Sequence, residues 1–79
     1  MSTSRMGPTE TEMIEIVLNG DPRSVPAGLS LDRLLIFLEV DLSRVAVERN
    51  REIVRKPLWS DTLIAAGDQI EVVWFVGGG

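Results

Sequence analysis

The sequence predicts a small α+β fold in which a mixed sheet packs on one main helix. Three observations predict it: apolar residues alternate with period two near both ends of the chain, one segment has helical apolar spacing, and two asparagine-containing turns mark hairpins. A chain of 79 residues forms one domain, and its 44% apolar content is enough for a thin core.

A polar segment precedes the first predicted strand. Residues 1–12 contain a Gly-Pro pair, show no periodicity and lack the apolar stretch of a secretory signal peptide. We therefore expect residues 1–12 to be a disordered extension and residues 13–79 to form the domain, which ends in a flexible glycine tail. No apolar run is long enough to span a membrane, so we also expect a cytoplasmic protein.

The first hairpin is predicted from MIEIVL, residues 13–18, whose apolar residues alternate as in a strand with one buried face. Asn19-Gly20 follows directly and favours a type I′ turn, because both central positions of that turn need positive φ. The returning strand, residues 21–25, contains Pro22, and proline has no N–H to donate to a neighbouring strand. We expect this strand at the edge of the sheet.

The main helix is predicted from SLDRLLIFLEV. Ser30 suits the N-cap, and Asp32 lies in the first turn, where the helix dipole favours an anion. Ile36 and Phe37 widen the apolar stripe, and we expect at least one of them to be partly exposed. The stripe itself follows the i, i+3, i+4, i+7 spacing of a helix that packs on a sheet: Leu31, Leu34, Leu35 and Leu38.

The second half of the chain predicts another hairpin, a short helical turn and a closing strand. VAVER and EIV flank Asn50-Arg51, where positive φ at arginine carries a steric cost, so the sequence leaves the type and length of this turn open. Pro57 suits the start of a helical turn, and Gly67-Asp68 marks its exit. Trp59 and Leu63 are four residues apart, so we expect both in the core. QIEVVWFV is the most strongly β-forming segment.

The order of these elements favours the ubiquitin-like β-grasp. Two hairpins with a helix between them and a lone final strand fit a mixed sheet packed on one main helix. Periodicity alone supports only the α+β class, and a ferredoxin-like arrangement is the nearest alternative.

The residue types leave little catalytic chemistry. The chain has no cysteine, histidine or tyrosine, which excludes disulfides, Ser-His and Cys-His nucleophiles and metal sites built from thiolate and imidazole ligands. Its carboxylates are scattered singly, as on a solvated surface. The net charge of −4 argues against a nucleic-acid partner. We expect a protein that is not an enzyme and holds no cofactor or metal.

Four segments of the chain carry a family resemblance: LNGDPRSVPAG, VAVERNREIV, LWSDTLIAAGDQIEVV and FVGGG. Together they resemble the ThiS family, the sulfur carriers of thiamine biosynthesis. The resemblance covers residues 13–79. It implies a β-grasp fold and a terminal Gly-Gly whose carboxylate a partner adenylates with ATP and converts to a thiocarboxylate. It also implies two partners, a ThiF-like adenylating and sulfur-transfer enzyme and a ThiG-like thiazole synthase, and neither nucleic acid nor a membrane.

Carried onto this chain, the resemblance makes Gly79 the residue that is adenylated and that bears the thiocarboxylate. Gly77 and Gly78 would form a slim arm for a channel in the partner, because glycine has no Cβ and admits positive φ. Two positions depart from the family pattern. Arg51 stands where the family often has glycine, and Trp74 stands where a polar residue is expected.

The last strand predicts a partner-binding surface beside the tail. If Glu71 faces solvent, alternation turns Val73 and Phe75 to the same side, while Ile70 and Val72 face the helix. We expect four residues to contact the partner: Val17, Val73, Phe75 and Val76.

Three alternatives remain open on the residues alone. They are a related β-grasp carrier such as the small subunit of molybdopterin synthase, a ubiquitin-like protein modifier, and an interaction module with an inert tail. VAVERN and GDQIEVV favour the thiamine branch by resemblance.

Overall fold

The computed structural model describes residues 12–75, so residues 1–11 of the predicted extension and residues 76–79 of the tail lie outside the described part. Two 3₁₀ helices, Leu42–Arg44 and Lys56–Asp61, connect its strands and main helix. Within residues 12–75, no helix has the length and apolar character needed to cross a membrane. The main elements are β1 (Met13–Leu18), β2 (Asp21–Pro26), α1 (Leu31–Phe37), β3 (Val45–Arg49), β4 (Glu52–Val54) and β5 (Gln69–Trp74).

The five strands form one mixed sheet in the order β2-β1-β5-β3-β4. The first strand β1 runs parallel to β5, and all other neighbouring strands are antiparallel. The last strand in the sequence therefore lies in the centre of the sheet. This arrangement confirms the predicted β-grasp, and β2 lies at an edge, as its proline predicts.

The core lies between one face of the sheet and α1. The helix buries Leu31, Leu34 and Leu35 completely, which confirms three members of the predicted stripe, whereas the fourth, Leu38, is the C-cap residue and is partly buried. Ile36 and Phe37 are both about half exposed, as predicted for at least one of them. Trp59 is buried, and its indole Nε1 donates to the Val54 carbonyl at 2.8 Å. The remaining buried apolar residues are Ile16, Val25, Val45, Val47, Ile64, Ile70 and Val72.

The predicted core position of Leu63 is wrong, because its side chain is 63% exposed. The spacing argument assumed an α-helix, whereas the helix around Trp59 is a 3₁₀ helix that ends at Asp61. Thr62 is already extended, with φ −104° and ψ 105°. Four residues after Trp59 the chain therefore no longer returns to the same face, and Ile64 is buried instead.

Both hairpins contain the same two-residue turn. Asn19 and Gly20 have φ values of 48° and 88°, which confirms the predicted type I′ turn. Asn50 and Arg51 have φ values of 52° and 72°, and Arg49 pairs with Glu52 across them. The turn at Asn50-Arg51, whose type the sequence left open, is therefore also type I′, and Arg51 adopts a left-handed conformation that is unfavourable for a residue with a Cβ.

The helix begins at the predicted N-cap but uses it in an unexpected way. The Ser30 hydroxyl donates to the Asp32 carboxylate and caps no backbone N–H. This hydrogen bond, supported by the N–H of Arg33, lowers the pKa of Asp32. The N–H of Leu31 instead donates to the Thr62 carbonyl at 2.8 Å, which ties the start of the helix to the segment before β5.

Candidate functional site

The start of β5 is held by a buried carboxylate. Asp68 is 6% exposed and accepts hydrogen bonds from Arg49 Nε at 2.9 Å, Asn50 Nδ2 at 3.1 Å and the Ala65 N–H at 2.8 Å. Burial by itself would raise the pKa of Asp68, but these three donors and the charge of Arg49 lower it below its ordinary value. The carboxylate therefore stays ionised. Its hydrogen bonds join the start of β5 to Arg49 at the end of β3, to Asn50 in the turn and to Ala65 in the loop that precedes β5.

Two turn asparagines hold β5 from opposite sides. On the β1 side, the Asn19 carboxamide accepts from the Val72 N–H at 2.7 Å and donates to the Val72 carbonyl at 3.3 Å. On the β3 side, Asn50 Oδ1 accepts from the Gln69 N–H at 2.9 Å. Because β1 ends at Leu18, opposite Ile70, the Asn19 side chain takes the place that the next residue of β1 would occupy.

The end of β5 is the opposite case, because it exposes three large apolar side chains in succession. Val73 is 51% exposed, Trp74 50% and Phe75 60%. The Phe75 N–H still donates to the Arg44 carbonyl at 2.9 Å, so pairing with the β3 side continues to this residue. We call Val73, Trp74 and Phe75 the exit patch, since they directly precede the predicted tail.

Strand alternation in β5 agrees with the prediction. Ile70 and Val72 are buried at 0% and 4% exposure, whereas Glu71 and Val73 are exposed on the outer face, away from α1. Alternation places Phe75 on that outer face and Trp74 on the helix side. The exit patch thus presents apolar surface on both sides of the sheet.

The structure does not bring together all of the predicted partner-binding residues. Val17 is half-buried and pairs with Gln69, four residues before Val73, so about 13 Å of strand separates the two valines. Glu71 lies between them on the same face. Val73 has Ala46 opposite it and Phe75 beyond it. Val76 and the glycines at 77–79 lie outside the described residues.

A depression of about 290 Å³ lies on the outer face between the tips of the two hairpins. Glu48 and Glu71 line it from directly opposed positions on β3 and β5, and Arg51 lines it from the second turn. The sequence alone does not predict this site, because the site depends on strand register; the one sequence signal for it is the pair of asparagine turns that flank it. Its remaining lining residues are Val17, Gly20, Gln69 and Ile70.

Over residues 12–75, no three acidic side chains converge in a way that could hold a metal ion. The chain as a whole contains no histidine or cysteine.

Comparison with known proteins identifies the family. The ThiS family model matches residues 16–79. Over 66 residues the chain is 42% identical to a thiazole synthase of Paramagnetospirillum magneticum, covering 84% of this chain but only 20% of that protein. It is 38% identical over 50 residues to the sulfur carrier protein ThiS of Bacillus subtilis, covering 63% of this chain and 76% of that protein.

A solved structure agrees with the family match. The crystal structure of the thiamine biosynthesis protein ThiS from Geobacter metallireducens has a TM-score of 0.75 and 32% identity, covering 84% of this chain and 100% of that chain. Because the family model matches well over half of the sequence, and a ThiS structure shares the ubiquitin-like β-grasp fold of this chain, the chain belongs to the ThiS family.

Proposed function

We propose that the chain carries sulfur as a thiocarboxylate on Gly79 after a ThiF-like partner has adenylated that residue with ATP. The observation that carries the proposal is the family match, which extends through the glycines to residue 79. The exposed exit patch supports the proposal, because it offers a partner an apolar surface to bind directly before the tail.

The proposed chemistry follows from the ordinary reactivity of a carboxylate. A chain terminus has a pKa of about 3.3–3.7 and is ionised at neutral pH, so it resists nucleophilic attack. A terminal oxygen attacks the α-phosphorus of ATP, the bond to the β-phosphate breaks, and pyrophosphate leaves. A sulfur nucleophile at the oxidation level of sulfide then attacks the acyl carbon and expels AMP. In this scheme the chain supplies the carboxylate, and the partner supplies the catalytic groups.

The described residues fit the role of a rigid base for the C-terminal residues. The hydrogen bonds of Asn19, Asn50 and Asp68 fix β5 as far as Val72. Fixing the strand matters because an error of about 1 Å in the position of a reacting group costs on the order of 10²-fold in rate. We propose that Val73 and Phe75 dock on the partner, with Val76 at the root of the tail and Val17 at the far end of the same face.

The delivery partner that we propose is a ThiG-like thiazole synthase. The thiazole synthase of Paramagnetospirillum magneticum contains a stretch that matches this chain over 66 residues, and the chain spans about a fifth of that protein. A carrier segment and a thiazole synthase in one polypeptide favour the thiamine branch over the molybdopterin branch. The net charge of −4 fits a protein partner better than nucleic acid.

The test is to append one alanine after Gly79 and measure adenylation with a ThiF-like enzyme and ATP. One extended residue moves the free carboxylate by up to about 3.3–3.6 Å, so we expect adenylation to fall at least about 10²-fold. Intact-mass analysis after a sulfur source is added should show one oxygen of the unextended chain replaced by one sulfur, and no such change in the extended chain.

A matched control carries the same alanine in front of Met1. It should be adenylated normally, and circular dichroism should show the same fold for all three proteins. Normal adenylation of the chain extended after Gly79, without trimming, would show that this residue is not the reactive group. A series of higher-mass protein conjugates in place of the thiocarboxylate would favour the alternative of a ubiquitin-like modifier.

A further inference from the structure

Two carboxylates face each other at the centre of the outer face. Glu48 on β3 pairs directly with Glu71 on β5, so both side chains point to the same side of the sheet. Like charges in directly opposed positions destabilise a sheet. Within residues 12–75 the single ion pair closer than 4 Å joins Arg49 to Asp68, so neither Glu48 nor Glu71 has a cationic partner at that distance.

The acid pair lines a concave surface. The depression that it shares with Val17 and Gln69 measures about 290 Å³, slightly below the roughly 300–1,000 Å³ of small-molecule pockets. Its size suits one inserted side chain better than a cofactor. Arg51 supplies the one positive charge in the lining, so two carboxylates and one guanidinium leave the depression negative.

The acid pair is continuous with the apolar surface next to the tail. Along β5, Val73 follows Glu71 on the same face, and alternation continued one residue past the strand places Phe75 there too, where its N–H still donates to the Arg44 carbonyl. At about 3.3 Å per residue, Glu71 lies roughly 7 Å from Val73 and 13 Å from Phe75. We call Glu48, Glu71, Val73 and Phe75 the docking face: its apolar half borders the tail, and its acidic half lies farther away.

We propose that the adenylating partner inserts a lysine or arginine side chain between Glu48 and Glu71 while an apolar patch of the same partner covers Val73 and Phe75. This inference rests on the proposed function and specifies the chemistry of the partner's surface. A cation between the carboxylates removes their mutual repulsion, so the energetic cost of the acid pair in the free chain is recovered in the complex.

A second copy of the chain fits this face poorly. A two-fold symmetric pairing centred on the acid pair would place four carboxylates together, and one centred beside it would set each acid pair against the apolar half of the other copy, so neither pairing gives the carboxylates a cation. Charge complementarity therefore selects a basic partner surface.

The proposal also limits where the partner's basic residue lies. Gly79 follows Glu71 by eight residues, and eight extended residues span at most about 26–29 Å. In the complex, the Cα position of Glu71 therefore lies at most about 26–29 Å from that of Gly79, so the basic residue and the nucleotide site belong to neighbouring parts of the partner's surface.

The test neutralises the acid pair without changing its shape. The double variant Glu48→Gln/Glu71→Gln is compared with Glu15→Gln, which removes a charge from the same face of β1, opposite Ser24 and away from the exit patch. Three quantities are measured: the thermal midpoint of the free chain, the Kd for a ThiF-like enzyme by calorimetry at about 0.05 M and 0.5 M NaCl, and the rate of adenylation.

The pair variant should move stability and binding in opposite directions. Relief of the repulsion should raise the thermal midpoint by about 1–8 °C. Loss of the carboxylates should weaken binding at least about tenfold at low salt and remove most of its salt dependence. Glu15→Gln should leave Kd within about twofold, since an exposed charge outside the contact has little effect on affinity.

Each other outcome overturns part of the scheme. If the pair variant binds like the wild type, or if Glu15→Gln weakens binding equally, the acid pair is not the recognition element, although adenylation of the wild type still supports the proposed function. If binding behaves as expected but no chain is adenylated, the proposed function fails and the docking inference stands. A wild-type chain that does not bind the enzyme contradicts both. Sedimentation that shows self-association sensitive to the pair variant would assign this face to a second copy.

Discussion

The two ends of β5 are built in opposite ways. At its start, the buried Asp68 carboxylate and the Asn50 side chain fix the strand, and the Asn19 side chain continues this as far as Val72. At its end, the three large apolar residues of the exit patch are each about half exposed. One strand is thus fixed by side-chain hydrogen bonds in its first part and leads to exposed apolar side chains in its last part.

The difference arises from the unequal lengths of the neighbouring strands. The parallel partner β1 ends opposite Ile70, whereas pairing with β3 extends to Trp74. A central strand that extends beyond one of its neighbours has backbone N–H and C=O groups with no strand partner on that side. The Asn19 carboxamide forms hydrogen bonds with both of these groups of Val72. Asparagine performs this task because it tolerates the positive φ of the turn and carries both a donor and an acceptor.

The largest effect is expected at the anchored end. Asp68→Asn removes the negative charge from all three donors, replaces one acceptor oxygen with an NH2 group that faces a donor, and removes the ion pair with Arg49. We expect a loss of about 2–3 kcal/mol in the free energy of unfolding at pH 7, within the range for charged hydrogen bonds. Urea denaturation of the wild type and the variant measures it.

The same variant should change the response to acid. The folded-state pKa of Asp68 is lowered relative to that of the unfolded chain, so its stabilisation is present above the unfolded value of 3.8 and is lost as the pH falls through the folded value. The wild type should therefore lose more stability than Asp68→Asn on acidification below about pH 5. Asp61→Asn, at an exposed position, is the control and should keep the wild-type response. Parallel acid curves for Asp68→Asn and the wild type would contradict the anchoring role.

The exposed end should show the reverse pattern, with binding lost and stability kept. Phe75→Asp places a charge where the ring is 60% exposed, so we expect the free energy of unfolding to change by no more than about 0.5 kcal/mol. Loss of an apolar anchor should weaken binding to a ThiF-like enzyme by about 2 kcal/mol, roughly thirtyfold. Calorimetric titration and thermal unfolding measure the two effects.

A second exposed apolar residue tests the specificity of that result. Leu58→Asp introduces the same charge at a position that is 53% exposed on the second 3₁₀ helix, outside the docking face. It should bind like the wild type. Equal loss of binding by both variants would indicate a non-specific effect of charge, and unfolding of Phe75→Asp would show that the ring supports the core.

The sequence predicts well those features that depend on neighbouring residues. Alternation in β1 and β5 and the leucine stripe of α1 depend on local spacing, and the structure confirms them. The contact between Asn19 and Val72 joins residues 53 positions apart, so no local pattern indicates it. The exposure of Leu63 depends on a 3₁₀ helix in place of an α-helix, which spacing alone does not distinguish.

The candidate site also has one part that local spacing predicts and another part that depends on distant residues. Alternation predicts the outward orientation of Val73, but the pairing of Glu48 with Glu71 depends on the register between two strands more than twenty residues apart. The role of Gly79 comes from resemblance to a family and not from any physical pattern in the chain; it remains a prediction.

The smallest effect is expected at the two turns that flank the anchored end, which differ in one residue. Gly20 and Arg51 occupy the second position of equivalent type I′ turns, with φ values of 88° and 72°. Left-handed backbone costs a residue with a Cβ about 1–2 kcal/mol, whereas a new glycine loses about 0.4–1 kcal/mol through the freedom of the unfolded chain. Arg51→Gly should therefore stabilise the domain by roughly 0.5–1 kcal/mol. Gly20→Arg should destabilise it by a similar amount, and since a Cβ at Gly20 meets no atom within 4 Å, backbone strain alone accounts for that loss. Urea midpoints at constant m-value measure both changes. A loss of stability in Arg51→Gly would show that the arginine side chain makes a stabilising contact that outweighs its backbone strain.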